Sequence, residues 1–204
     1  MERSMGNNQL GQARKRRKKV RITDIAITKV PYTEYPGLTD TECKTIRALA
    51  MEVLELSKEE NDDNEVSITY CLEDRSIGIC FGDEHGVNPL SDTRSAHLLM
   101  SGKPLTVVSL HNHPSTQSFS LEDIQFFIGF QSIRLMVLVS NQGVVHYLSK
   151  SDGYVPEKAY GLLHEHYKMI DKGMDVKNII DITDKYLKKC SRVGIEYRKG
   201  KEKK

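Results

Sequence analysis

Apolar residues recur along this chain in two rhythms, and the switches between them lay out its elements. Ile22, Ile25, Ile27 and Val30 alternate with polar positions until Pro31 and Pro36-Gly37 interrupt them, which predicts a short edge strand or lead-in. Thr39 with Glu42 then forms a capping box. Cys43, Ile46, Leu49, Ala50, Val53 and Leu54 follow at helical spacing and predict a helix over 40–57. The polar run from Ser57 to Asn64 reads as a solvated loop. From Glu65 the period becomes two: Val66, Ile68 and Tyr70 share one face, Glu73-Asp74-Arg75 turns the chain, and Ile77, Ile79 and Phe81 return as a hairpin. Gly82 to Asn88 reads as a loop, and residues 91–101 as a short helix stopped at Gly102.

Leu105 to Leu110 is a compact apolar run between Pro104 and polar residues, the pattern of a buried central strand. Leu121, Ile124, Phe127 and Ile128 predict a helix over 120–130, and two strands follow, Arg134–Val139 and Val144–Leu148, joined by Asn141-Gln142-Gly143. Residues 156–171 and 175–190 predict two more helices, with a frayed Lys-rich end. The order of elements gives an α/β class, a mixed sheet flanked by helices, with a helical C-terminal extension. The expected organisation is a disordered basic tail over 1–21, a catalytic domain over 22–150 and a helical, basic extension over 151–204.

With 204 residues, 38% hydrophobic and 28% charged, the composition fits one globular domain with tails. It excludes collagen-like and wholly disordered chains, and no apolar run approaches the roughly 18 residues of a membrane span. Cys43, Cys71, Cys80 and Cys190 include no C-x-x-C pair, so core thiols in a cytoplasmic, reducing setting are expected, with Cys71 and Cys80 close across the predicted hairpin. The formal net charge of +2 conceals a division. Residues 1–21 carry eight basic and one acidic side chain, 22–184 carry 13 basic and 25 acidic, and 185–204 carry nine basic and two acidic. The run Arg14-Lys15-Arg16-Arg17-Lys18-Lys19 suits contact with nucleic acid or an acidic partner, or serves only to solubilise.

The central strand leads into His111-Asn112-His113-Pro114, and Ser120-Leu121-Glu122-Asp123 opens the helix that follows. Histidines two apart on a strand project to one side and can share a metal ion, and Asp123 in the first helical turn supplies a third ligand. Three protein ligands leave a fourth zinc position for water, the arrangement of catalytic zinc. Such a site also needs a general base and an oxyanion donor. Glu65, at the start of the first core strand, is the candidate base and Ser120 the candidate donor, whereas Glu73 and Glu84 fall in a hairpin tip and a loop. Ser120 to Asp123 alone would serve as a helix cap, and His111 to Pro114 alone as a polar turn. The compound pattern, a buried strand ending in H-x-H-P and closed by S-x-x-D, is what points to a metal. His164 and His166 flank Glu165 on a predicted helix, where they face different ways and are expected at the surface, and His85, His97 and His146 carry no chemistry. The H-x-E and P-C-x-x-C pair of zinc nucleobase deaminases is lacking.

From Thr39 to Lys150 the sequence resembles the JAMM (MPN+ or JAB) metalloprotease domain, in particular its RadC-like and phage-associated branches. The resemblance implies zinc held by His111, His113 and Asp123, Glu65 as general acid/base, Ser120 as oxyanion donor, and cleavage of a peptide or of a ubiquitin-like protein conjugate. His111 to Ser115 is most similar to the RadC type. Ser118-Phe119-Ser120 with Asp123, and Gly194-Ile195-Glu196-Tyr197 at the end of the Lys-rich tail, are closer to domains of phage head-morphogenesis proteins. One departure is that Pro114 to Phe119 places six residues between the second His and the Ser, where the family has seven. Two other readings compete with a hydrolase: a non-catalytic assembly module of a phage or mobile element, and a RadC-like DNA-associated protein.

Overall fold

The computed structural model describes residues 19–115 and 117–199. Their strands join in one mixed sheet of order β2-β1-β3-β4-β5-β6. The strands are β1 Val66–Cys71, β2 Ile77–Phe81, β3 Val107–His113, β4 Ile133–Ser140, β5 Val145–Lys150 and β6 Ile195–Arg198. β3 and β4 run parallel, and the other pairs are antiparallel. The helices are α1 Asp24–Thr28, α2 Asp40–Glu60, α3 Thr93–Ser101, α4 Leu121–Gly129, α5 Pro156–Tyr167 and α6 Val176–Lys189. This is the expected α/β class. Among the described residues no helix is long and apolar enough to cross a membrane.

Period two divides each strand between two cores. Val66, Ile68 and Tyr70 of β1, Val108 and Leu110 of β3, and Leu135, Val137 and Val139 of β4 meet the α2 stripe Cys43, Ile46, Leu49, Ala50, Val53 and Leu54. The opposite face, with Val107, Met136, Leu138 and Leu148, is covered by Leu99 of α3, Ile124 and Phe127 of α4, Leu163 of α5 and Tyr186 of α6. The central strands are buried on both sides, which is why Val107 to Leu110 is nearly continuous in hydrophobes. Lys150, 4% exposed, ties the end of α4 to the sheet: its ammonium donates to the Phe130 carbonyl at 2.6 Å and lies 4.8 Å and 5.0 Å from the ring centres of Phe127 and Tyr154.

Several expectations are revised. Residues 24–28 form a helical turn and not an edge strand, because Ala26, Ile27 and Val30 turn inward and Thr23 caps the turn, while Ile25 is left exposed. α2 runs on to Glu60, since Ser57 is buried and its hydroxyl donates to the Asn64 carbonyl at 2.6 Å. α3 starts after Asp92, which caps it, rather than at Ser91. Cys71 and Cys80 are not neighbours: Cys80 sits opposite Ser67, Cys71 opposite Val107, and all four cysteines are free and buried. His166 is buried, 1% exposed, with Nδ1 at 2.7 Å from the Leu162 carbonyl and its ring edge-on to Tyr186.

The C-terminal region differs most. A 3-10 turn, Cys190–Val193, leads through Gly194 into β6, which pairs with β5 from Lys150↔Ile195 to Tyr147↔Arg198. Gly194 has φ +78, and a Cβ there would come within 2.3 Å of the backbone of Gly153 and Tyr154, so the turn into β6 requires glycine. Residues 151–199 thus complete the sheet and the second core instead of extending as helices from a domain ending at 150. Of the basic tail expected over 1–21, residues 1–18 lie outside the described residues, and Lys19 to Arg21 are placed against the body of the domain.

Candidate metal centre

Alternation along β3 sends His111 and His113 to the α4 side of the sheet and Asn112 to the α2 side. The two imidazoles converge, with Nε2 atoms 3.2 Å apart. α4 begins at Leu121 with Ser120 as its cap, and the capping box turns the Asp123 carboxylate back toward the strand. Asp123 Oδ1 lies 3.4 Å from His111 Nε2, and Oδ2 lies 3.5 Å from His113 Nε2. These three residues could hold a metal ion, their ligand atoms all lying within 4.8 Å of one another. A tetrahedral ion with bonds of about 2.1 Å needs ligand atoms about 3.4 Å apart, close to the spacing of the two imidazole nitrogens and of each nitrogen from its nearer Asp123 oxygen. Asp123 belongs to both the helix cap and the candidate ligand set, so the two readings of Ser120 to Asp123 do not exclude each other.

Glu65 stands immediately before β1, the neighbouring strand, with Oε1 4.0 Å from His113 Nε2. Its backbone is held on both sides. The Glu65 amide donates to the Asp83 carbonyl at 3.2 Å, and its carbonyl accepts from Gly82 at 2.8 Å and from Asn61 Nδ2 at 2.9 Å. The Gly82 to Asn88 loop therefore packs over this carboxyl, and a Cβ at Gly86 would stand 4.0 Å from Glu65 Oε2.

The electrostatics favour a cation. Burial, above all, raises the pKa of Glu65 above the usual carboxylate range, against the pull of His113 and His111. Burial works against charge on His113, but the hydrogen bond and charge of Asp123, with Glu65 behind it, outweigh that and raise its pKa. Burial also works against the Asp123 carboxylate, and the charge and hydrogen bonds of His111 and His113 reverse it, holding Asp123 well below the ordinary value. The field that favours a proton on His113 favours a metal ion at the same place.

Ser120 Oγ donates to Asp123 Oδ2 at 2.8 Å and accepts from the Asp123 amide at 3.0 Å, while the Ser120 amide donates to the same Oδ2 at 2.7 Å. The Ser120 hydroxyl proton is thus engaged in orienting the carboxylate. His113 also has a hydrogen bond to the backbone of Gln117, the kind of outer contact that fixes a ligand ring. Phe119, 3% exposed, lies against His111 with ring centres 6.3 Å apart.

The segment joining His113 to Asp123 is braced by β6. Tyr197 OH and Ser118 Oγ are 2.8 Å apart, and the Tyr197 ring stands edge-on to Phe119 at 6.3 Å. A Tyr197→Phe variant should weaken zinc binding about 5-fold in a competition titration against a zinc-binding dye, the loss of one hydrogen bond of about 1 kcal/mol behind the ligands. An unchanged zinc affinity would reduce this contact to surface packing.

Behind the histidines, Asn112 is wholly buried. Its Oδ1 accepts from the Val66 amide at 2.7 Å, and its Nδ2 donates to Ser57 Oγ at 3.1 Å, the Asn64 carbonyl at 3.2 Å and Asn141 Oδ1 at 2.8 Å. Asn141 Nδ2 donates in turn to the carbonyls of Val20 at 2.8 Å and Asp63 at 3.0 Å. One amide thereby links the ligand strand to the residue following Glu65.

The structure brings together all five residues singled out from the sequence: His111, His113, Asp123, Glu65 and Ser120. Glu73 and Glu84 stay exposed, Glu73 pairing with Lys103 and Glu84 with His85. The sequence reading quotes Asn112, Phe119 and Tyr197 in its motifs but misses the parts they play. The Ile195-Glu196-Tyr197-Arg198 alternation is the one signal that could have exposed the third. Comparisons with protein-family models, with curated proteins and with solved structures each returned no match.

Proposed function

We propose that this chain is a zinc-dependent hydrolase of JAMM type that cleaves a peptide or isopeptide amide bond. The observation that carries the reading is the convergence of a His-His-Asp set from β3 and α4 with the buried carboxyl that immediately precedes β1, Glu65 Oε1 lying 4.0 Å from His113 Nε2. A structural cap has no use for that fourth group. His111, His113 and Asp123 would hold the zinc, which would supply a Lewis acid able to make a water molecule nucleophilic near neutral pH.

The chain's own residues divide the remaining work. Glu65 accepts a proton from the attacking water and returns it to the leaving amine, so that the amide C–N bond breaks to a carboxylic acid and an amine. Ser120 keeps Asp123 oriented through Oδ2. Its hydroxyl, 2.8 Å from Asp123 Oδ2, is also the donor assigned in this reading to the carbonyl oxygen as negative charge develops there. Glu65 and His111 are both buried, which limits their contact with bulk water.

Protein purified without added zinc should contain about one zinc per chain by elemental mass spectrometry. A His111→Ala/His113→Ala variant with an unchanged far-UV circular dichroism spectrum should contain none. Wild-type protein that stays metal-free after zinc is offered would end the hydrolase reading and return Ser120 and Asp123 to a helix cap.

A further inference from the structure

The sheet carries a second polar patch beside the metal centre, under α3. Val66, Ile68 and Tyr70 face α2, so Ser67 and Thr69 of β1 face the other way, on the side of His111 and His113. Ser67 stands opposite His111 of β3, and Thr69 stands opposite Ser109. On its other flank Thr69 is paired with Gly78 of β2, and a Cβ on Gly78 would fall 2.3 Å from Ser95 Oγ. The Ser95 hydroxyl of α3 therefore fills the place of a side chain next to Thr69, about 5 Å from it, the reach of one bridging water.

Ser67, Thr69 and Ser95 are buried, with exposures of 1%, 0% and 0%. Among the described residues none of these three hydroxyls has a hydrogen-bond partner. The polar groups around them are engaged elsewhere. Cys80, opposite Ser67 in β2, donates to the Asn88 carbonyl at 3.2 Å and lies 3.1 Å from Ser91 Oγ, and Asp92 Oδ2 accepts from the Ser95 amide at 2.7 Å. Among the described residues the other buried side-chain atoms without a partner, on Arg134, His166 and Tyr186, belong to β4, α5 and α6. Close approach of α3 to the sheet accounts for small residues here but not for hydroxyls, since alanine and valine would fill the same space without burying a polar group. Buried hydroxyls without protein partners are met by internal water, which makes about three hydrogen bonds to such groups.

We propose that Ser67, Thr69 and Ser95 hold a cluster of internal water between α3 and the sheet, whose inner end at Ser67 backs the ring of His111. Each hydroxyl both donates and accepts, so a short file of water satisfies all three. A metal-bound histidine is held in place through its second ring nitrogen, by a carboxylate, a carbonyl or a water. Only this role at His111 rests on the function proposed above; the water itself depends on the three hydroxyls alone.

The full chain, free of metal, is compared by thermal unfolding with Thr69→Val, Ser95→Ala and the double variant. Valine has nearly the shape of threonine and suits a strand, so a dry hydroxyl at 69 predicts a higher midpoint. Water bound there predicts a fall of about 2–4 °C in each single variant, and a fall in the double variant smaller than their sum. A crystal structure of the wild type should show water about 2.8 Å from Thr69 Oγ1 and Ser95 Oγ. An unchanged or higher midpoint for Thr69→Val, or hydroxyls that reach only protein atoms in the crystal, would overturn the proposal. At the inner end, Ser67→Ala should weaken zinc binding about 10-fold in the dye competition, and an unchanged affinity would detach the water from His111. Wild-type protein that binds no zinc would end the role at His111 together with the metal reading, while the unfolding test still decides the water.

Discussion

A Glu65→Gln variant is expected to retain about one zinc per chain and to lose amide hydrolysis by roughly 10²–10⁴-fold, the range for removing a positioned general acid/base. Glutamine keeps the shape of the side chain and its place beside Gly86, and none of the three ligand residues is altered. What it removes is the oxygen that takes and returns a proton. The measurement pairs zinc content with turnover of lysine-ε-linked fluorogenic peptides by zinc-loaded protein. Unchanged turnover would move the base elsewhere. A zinc-loaded wild type that cleaves none of these peptides would favour the assembly-module reading, in which the site serves binding alone.

Replacing Asn112 with leucine, of similar volume, should destabilise the fold by about 3–5 kcal/mol. Four hydrogen bonds disappear, and the Val66 amide, Ser57 hydroxyl, Asn64 carbonyl and Asn141 side chain are left buried without this partner. Thermal unfolding of metal-free protein should shift down by about 10 °C. A shift under about 2 °C would mean that the network relaxes around leucine and does not hold the β1–β3 junction.

The three candidate metal ligands are readable from sequence because each obeys a local rule. His111 and His113 keep the period of a strand whose apolar run is unmistakable, and Asp123 lies in a capping box that would be recognised in any chain. Glu65 is readable only as the first residue of a strand, since its nearness to His113 depends on the β1–β3 register. Asn112 is illegible because its partners, Ser57, Asn64 and Asn141, are scattered over the chain and meet only when three elements pack. β6 is hidden for a different reason. Four alternating residues between Gly194 and a run of lysines carry too little hydrophobicity to announce a strand, and β5, already in place, supplies the template that makes them one. In α1 the exposed Ile25 imitates the period of a strand while Ala26, Ile27 and Val30 do the packing.

The bracing of the Pro114 to Ser120 segment by Tyr197 also has a meaning in time. A ribosome delivers His111, His113 and Asp123 long before β6, and at about 5–20 residues per second the interval from Asp123 to Tyr197 lasts several seconds. During that interval Phe119 and Ser118 lack the ring and hydroxyl that later hold them. The candidate site is therefore finished late, its last brace arriving only when β6 pairs with β5.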